Sequence, residues 1–248
     1  MTIIPLPTKM TDTGGRFVIG GQTLIRVDSG DAAVARVGEY LAEFLAAPLG
    51  RRLAVVRGGE AGRGEIRLAG GGAAALGEEG YELTARPDAV TIRARTAAGV
   101  FYGVQSLLQL LPVEVFGDAP AGGVAWALPC VQIEDRPRFP WRGMMLDVSS
   151  HFFPVEFIKR WIDLLAMHKM NVFHWHLMDF GGWRLEIKAY PALTDVGAWR
   201  AGDGKGSLDL DSLYFRGRND PEGVYGGFYT SKGGGCGIAG RTHSAHDP

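Results

Sequence analysis

Cysteine is scarce in this chain: two among 248 residues, Cys130 and Cys236, far apart and without metal-ligand spacing. Such sparse usage argues against both a disulfide scaffold and a zinc site. No charge of either sign dominates. Lys and Arg number 26 and Asp and Glu 27, for a formal net charge of −1. That balance gives no electrostatic case for nucleic acid or an anionic membrane surface. Long apolar runs are missing too. The longest, Ala97 to Leu111, is broken by Gln105 and Gln109 and ends at Pro112, short of the roughly 20 apolar residues a membrane span needs. The start, Met1 to Lys9, lacks a charged segment followed by an apolar core, so no secretory signal is read and a cytoplasmic location is the default. What is present is a 46% hydrophobic chain, long enough for one large or two modest globular, soluble domains.

The first 135 residues carry strand and helix signals of their own. Phe17-Val18-Ile19 and Thr23 to Arg26 read as short strands around Gly20-Gly21. Asp31 is placed to cap a helix with Val34, Val37, Leu41 and Phe44 on one face. Leu53 to Val56 and Glu65 to Leu68 read as further strands. Tyr81 to Thr84 and Val90 to Arg93 flank Pro87-Asp88 as a hairpin. A second helix is expected from about Ala97 to Leu111. Strands grouped with two helices predict a small α+β domain. Pro112 to Pro140, rich in Pro and Gly, reads as a connector.

The chain then changes character. Arg142 to Val148 is a short, nearly continuous apolar run, expected as a strand covered on both faces. Pro154 opens a helix with Ile158, Trp161, Ile162 and Leu165 as its apolar stripe. Val172 to Met178 follows as a second strand, ending at Asp179 before Gly181-Gly182. Strand, helix and strand of this length predict a parallel βαβ unit. In such folds ligands are handled just past the carboxyl ends of strands. Asp147, Ser149, Ser150, His151 and Asp179 sit there. From Lys232 onward no stripe or alternation remains, and residues 232–248 are expected to be a disordered tail.

These residues carry a resemblance. Arg142-Gly143, Leu146-Asp147, His151 to Pro154, His174-Trp175-His176-Leu177, Asp179, Gly182-Trp183-Arg184, Tyr190-Pro191 and Gly197-Ala198 together resemble glycoside hydrolase family 20, the β-N-acetylhexosaminidases. Gly80 to Thr84 and Ala97 to Leu111 resemble the non-catalytic domain that precedes the barrel in that family. The resemblance implies an α+β N-terminal domain over 1–135 and the first part of a (β/α)8 TIM barrel over 136–231, an incomplete barrel of two strands and one full helix. It implies exo-hydrolysis of N-acetylhexosamine-terminated glycans or chitooligosaccharides by a substrate-assisted, retaining mechanism, with no metal or cofactor. In that mechanism an aspartate orients the substrate acetamido group and the adjacent glutamate protonates the leaving oxygen. The sequence contains no Asp-Glu dipeptide. The alternative is therefore a non-catalytic remnant with at most weak sugar contact.

The resemblance also assigns roles. Arg142 is the candidate for a forked contact to sugar hydroxyls, against a structural ion pair to Glu134 or Asp135. Asp179 is the candidate relay aspartate behind the acid, against a turn or cap role. Both are expected on the same open side of the strands. Asp147 and His151 are candidates for lining the pocket, and Trp183 for sugar stacking. Trp161 and Trp175 read as core. His174 and His176 share a strand face, and the bland reading is buried, hydrogen-bonded histidines rather than metal ligands.

Overall fold

A computed structural model describes residues 2–60, 62–200, 225–232 and 235–239. The chain divides into two units, 1–140 and 141–248.

In the first unit the strands are β1 (Lys9–Val18), β2 (Leu24–Asp28), β3 (Val55–Arg57), β4 (Glu65–Ala69), β5 (Tyr81–Ala85), β6 (Ala89–Ala94) and β7 (Ala127–Asp135). They form one seven-stranded sheet in the order β1-β7-β5-β6-β4-β2-β3. Helices α1 (Ala32–Leu49) and α2 (Ala97–Leu110) complete it. Asp31 caps α1 as expected, Oδ1 accepting from Ala33 N–H at 2.7 Å, and Gly50 ends it with φ 68°. Thr96 caps α2.

Strand alternation gives the sheet one apolar face. Ile25, Ile66, Leu83, Ile92, Val131 and Ile133 share a core with Leu41 and Leu45 of α1 and Val104, Leu107 and Leu108 of α2. Each such fully buried aliphatic side chain contributes about 1.5–3 kcal/mol.

The connector expectation fails at β7, which lies inside the sheet between β1 and β5. Pro129 hid it. A proline argues against a central strand, yet here it falls outside the stretch paired to β5, which begins at Gln132, and beside the irregular register of β1 between Asp12 and Arg16.

The second unit opens with β8 (Gly143–Asp147), α3 (Val155–Met167) and β9 (Val172–His176). β8 and β9 are parallel, Gly143 opposite Val172 and Asp147 opposite His176. This is the expected βαβ unit. Leu146, Val148, Phe173, Trp175 and Leu177 pack with Ile158 of α3. Met145, Asp147, His174 and His176 therefore occupy the other face. The α3 stripe is only partly inward: Ile158 and Leu165 are buried, whereas Ile162 is exposed.

The second strand is shorter than expected. After His176 the chain turns into a hairpin of β10 (Met178–Asp179) and β11 (Gly182–Trp183). Then come a single helical turn, α4 (Ala192–Asp195), and strands β12 (Trp199–Arg200), β13 (Tyr225–Gly226), β14 (Phe228–Lys232) and β15 (Gly235–Ala239).

The tail expectation is corrected in part. β15 pairs antiparallel with β14, Tyr229 opposite Ile238. A backbone ladder needs no side-chain alternation, so composition gave no hint of it. Residues 233–234 and 240–248 of that tail lie outside the described residues. Among the described residues no helix is long and apolar enough to cross a membrane.

Candidate functional site

The carboxyl ends of β8 and β9 gather most of the candidate residues. Asp147 ends β8 and locks the loop after it. Its Oδ1 accepts from the Ser149 and Ser150 N–H groups at 2.8 and 3.0 Å, and Ser150 Oγ donates to Oδ2 at 2.6 Å. Burial acts to raise this carboxyl, but the bonds from Ser150 and Ser149 outweigh it and hold Asp147 below its ordinary range.

Opposite, His176 Nε2 lies 3.0 Å from Asp179 Oδ2, and the Phe180 N–H donates to Oδ1 at 2.7 Å. The Phe180 amide, then His176, hold Asp179 below the usual carboxylate range. Asp179 is exposed and Asp147 is not. Its position in the β10–β11 hairpin rather than at the end of β9 is what brings it back over His176.

His151 is half-buried, its ring 4.9 Å from Phe153 and 5.1 Å from Tyr225. Burial, then the Arg200 and Arg184 cations, push its pKa below the ordinary value. Trp183 is half-buried, and its indole N–H donates to the Leu185 carbonyl at 2.5 Å.

Arg142 is not brought to this cluster. Its N–H donates to Asn171 Oδ1 at 2.9 Å and its Nε to the Lys169 carbonyl at 2.8 Å. Both partners precede β9, so the guanidinium sits at the amino ends of the strands, roughly 15 Å of strand away from Asp147. The expectation that Arg142 and Asp179 share one side is corrected. The anchor is the turn between α3 and β9, which the sequence did not show to be within reach. Glu134 and Asp135 are engaged inside the first unit, with Lys9 at 2.9 Å and with Thr8 and Tyr81.

The histidine reading is corrected for burial: His174 is exposed and His176 half-buried, because both lie on the face turned away from the α3 cluster, while His176 does have a hydrogen-bond partner in Asp179. Trp175 packs edge-on to Tyr229 at 4.6 Å within that cluster, and Trp161 is half-buried. Among the described residues no group of three His, Cys, Asp or Glu side chains is placed to hold a metal.

Arg184 belongs to the Gly182-Trp183-Arg184 motif, and nothing in the sequence assigns it a role. Among the described residues it is the largest fully buried side chain. Nε donates to the Val148 carbonyl at 2.9 Å. Nη1 reaches Ala198 O at 2.6 Å and Gly227 O at 3.3 Å; Nη2 reaches Ser149 O at 2.8 Å and Gly181 O at 3.5 Å. Burial pulls its pKa down to about 10. The available signal was an arginine directly after Gly-Gly-Trp, where glycines let other backbone approach.

Chemically the cluster offers an exposed carboxylate steadied by an imidazole, and beside it a loop whose own carboxylate already accepts three hydrogen bonds. Two family models match this chain in sequence. Residues 1–136 match glycosyl hydrolase family 20, domain 2, and residues 139–233 match the catalytic domain of the same family. The chain belongs to glycosyl hydrolase family 20. This family-20 chain is 42% identical over 205 residues to a beta-hexosaminidase of Porphyromonas gingivalis, a match covering 82% of the chain and 26% of that relative. Among solved structures, Streptomyces plicatus N-acetyl-beta-hexosaminidase in complex with Thio-NAglucal is similar, with TM-score 0.69 and 45% identity over 76% of this chain and 37% of that one. So is the exo beta-N-acetylglucosaminidase of Vibrio harveyi in complex with N-acetylglucosamine, with TM-score 0.72 and 31% identity over 92% and 32%. The family-20 chain thus spans well under half the length of the relatives it matches.

Proposed function

We propose that the carboxyl ends of β8 and β9 form one rim of the terminal-sugar subsite of a β-N-acetylhexosaminidase. The substrates are glycans or chitooligosaccharides ending in N-acetylglucosamine or N-acetylgalactosamine. The observation that carries this reading is Asp179, exposed, ionised and steadied by His176 within a segment matched by the catalytic-domain model. In the substrate-assisted reaction this aspartate stands behind the general acid and helps set its pKa. His151 and Trp183 present ring edges and faces to a sugar on the same rim, and Asp147 shapes the loop that carries His151. The first 135 residues form the non-catalytic α+β domain, and residues 136–231 begin the barrel. No metal or organic cofactor takes part.

A second reading is favoured by a specific feature. The sequence has no Asp-Glu pair, and general acid assistance alone is worth about 10²–10⁴-fold. We infer that the 248-residue chain binds a terminal sugar weakly and does not turn it over. An aryl N-acetyl-β-glucosaminide should be hydrolysed at background rate. N-acetylglucosamine should shift the amide resonances of His151, Asp179 and Trp183. Turnover at ordinary glycosidase rates, abolished by Asp179→Ala, would overturn the second reading; absence of any shift at those residues would overturn the first.

A further inference from the structure

A guanidinium has five N–H donors, and all five of Arg184 point at backbone carbonyls. Those carbonyls belong to four segments: the loop after β8, the β10–β11 turn, Ala198 and Gly227. No donor is left for a ligand. The glycines around it are shaped to the same end. A Cβ at Gly182, where φ is +155°, would lie 2.7 Å from Arg184 Cζ, and one at Gly181 would lie 2.8 Å from the Ser149 carbonyl oxygen. Ser149 adds a parallel tie, its Oγ donating to the Gly182 carbonyl at 3.0 Å.

We propose that Arg184 is the positioning residue of the strand-end site: its guanidinium clamps the Asp147–His151 loop to the Gly181–Gly182 turn and so fixes the spacing between Asp147 and the His176–Asp179 pair. The role as a site residue rests on the reading that these strand ends form the sugar rim. The clamp itself does not. Lysine cannot replace it, because an ammonium is a single centre with three donors and cannot bridge four segments. The clamp also leaves a cation under the site. His151 faces that cation, Arg200 and the Tyr225 ring, so its titration reads the charge separately from the geometry.

The test uses the full chain and no turnover assay. In the wild type, the Arg184 guanidinium protons should give separate, slowly exchanging nitrogen-correlated resonances. Arg184→Lys should raise amide exchange at Ser149, Ser150 and Gly182 by about tenfold, the scale of one lost buried hydrogen bond, while amides of β5 and β6 stay unchanged. Arg184→Met should do the same and also raise the His151 titration midpoint, which Arg184→Lys should leave in place. Wild-type exchange in folded Arg184→Lys, or an unmoved His151 midpoint in folded Arg184→Met, overturns the proposal. If neither variant folds, the wild-type guanidinium signals decide: averaged, solvent-exchanging protons overturn it. Failure of N-acetylglucosamine to shift the wild-type rim would sink the proposed function and leave these readings untouched.

Discussion

A carboxylate that accepts three hydrogen bonds from its own loop has little left for a substrate. That is the position of Asp147, and it separates a shaping role from the ligand-facing role open to Asp179. Replacing it tests the difference. Asp147→Ala should destabilise the second unit by about 1–3 kcal/mol, the cost of stranding the Ser149 and Ser150 donors. Urea unfolding followed by tryptophan fluorescence is the measurement, since Trp141, Trp161, Trp175, Trp183 and Trp199 all lie in that unit. The pH dependence has a definite sign. The folded pKa is below the ordinary 3.8, so the stabilisation is fully present above 3.8 and is lost as pH falls below it through the folded pKa. The gap between wild type and Asp147→Ala should narrow as pH falls below 3.8. At this scale the sequence was legible for residues whose role is local. Asp31 and the Pro87-Asp88 turn act within a few positions of themselves. Arg142 and Arg184 were not legible, because their partners, Lys169, Ala198 and Gly227, are distant in sequence and are backbone atoms with no side-chain signature.

Elements show the same division. The βαβ unit of β8, α3 and β9 was readable because each piece carries its own period. β7 was not, because its place in the sheet is set by β1, more than a hundred residues earlier, and Pro129 masks its pattern. Helix α2 gives a prediction in which two effects oppose. Gly103→Ala would ordinarily favour a helix by roughly 0.5–1 kcal/mol. Here the added Cβ would stand 2.4 Å from Ile92 Cγ2 and 3.1 Å from the Tyr81 ring. Overpacking of about 1–3 kcal/mol should win, and the denaturation midpoint of the first unit should fall. Sheet strands β2 and β4 give another. Arg26 grips Glu65 through Nε at 2.9 Å and Nη2 at 2.6 Å, with little solvent access. The Arg26 bond, against the cost of burial, holds Glu65 at about 2 rather than 4.5. Its stabilisation is therefore complete above 4.5 and disappears as pH falls toward 2. Arg26→Met, which leaves that buried carboxylate to Arg67 Nε at 3.3 Å, should destabilise the first unit at neutral pH and progressively less in acid, read by circular dichroism.

Taken whole, the two units differ in how well they cover themselves. The first has a seven-stranded sheet under two helices with one continuous core. The second has only two-stranded sheets among its described residues and leaves Trp141, Met144, Met145, Ile162, Leu164 and Phe180 exposed. Exposed apolar strand edges invite association. Limited proteolysis should therefore leave a resistant fragment ending near residue 140 and cut first between Trp141 and Arg200; a single cooperative transition with no cut in that span would refute this. The pairing of β1 with β7 also sets a delay during synthesis. β1 is an edge strand whose single neighbour is β7. On a ribosome its row of amides and carbonyls must wait for roughly 110 further residues, a matter of about 5–20 seconds at ordinary synthesis rates. Over that interval the nascent chain holds an open strand, and translation speed governs how long a chaperone has to shield it.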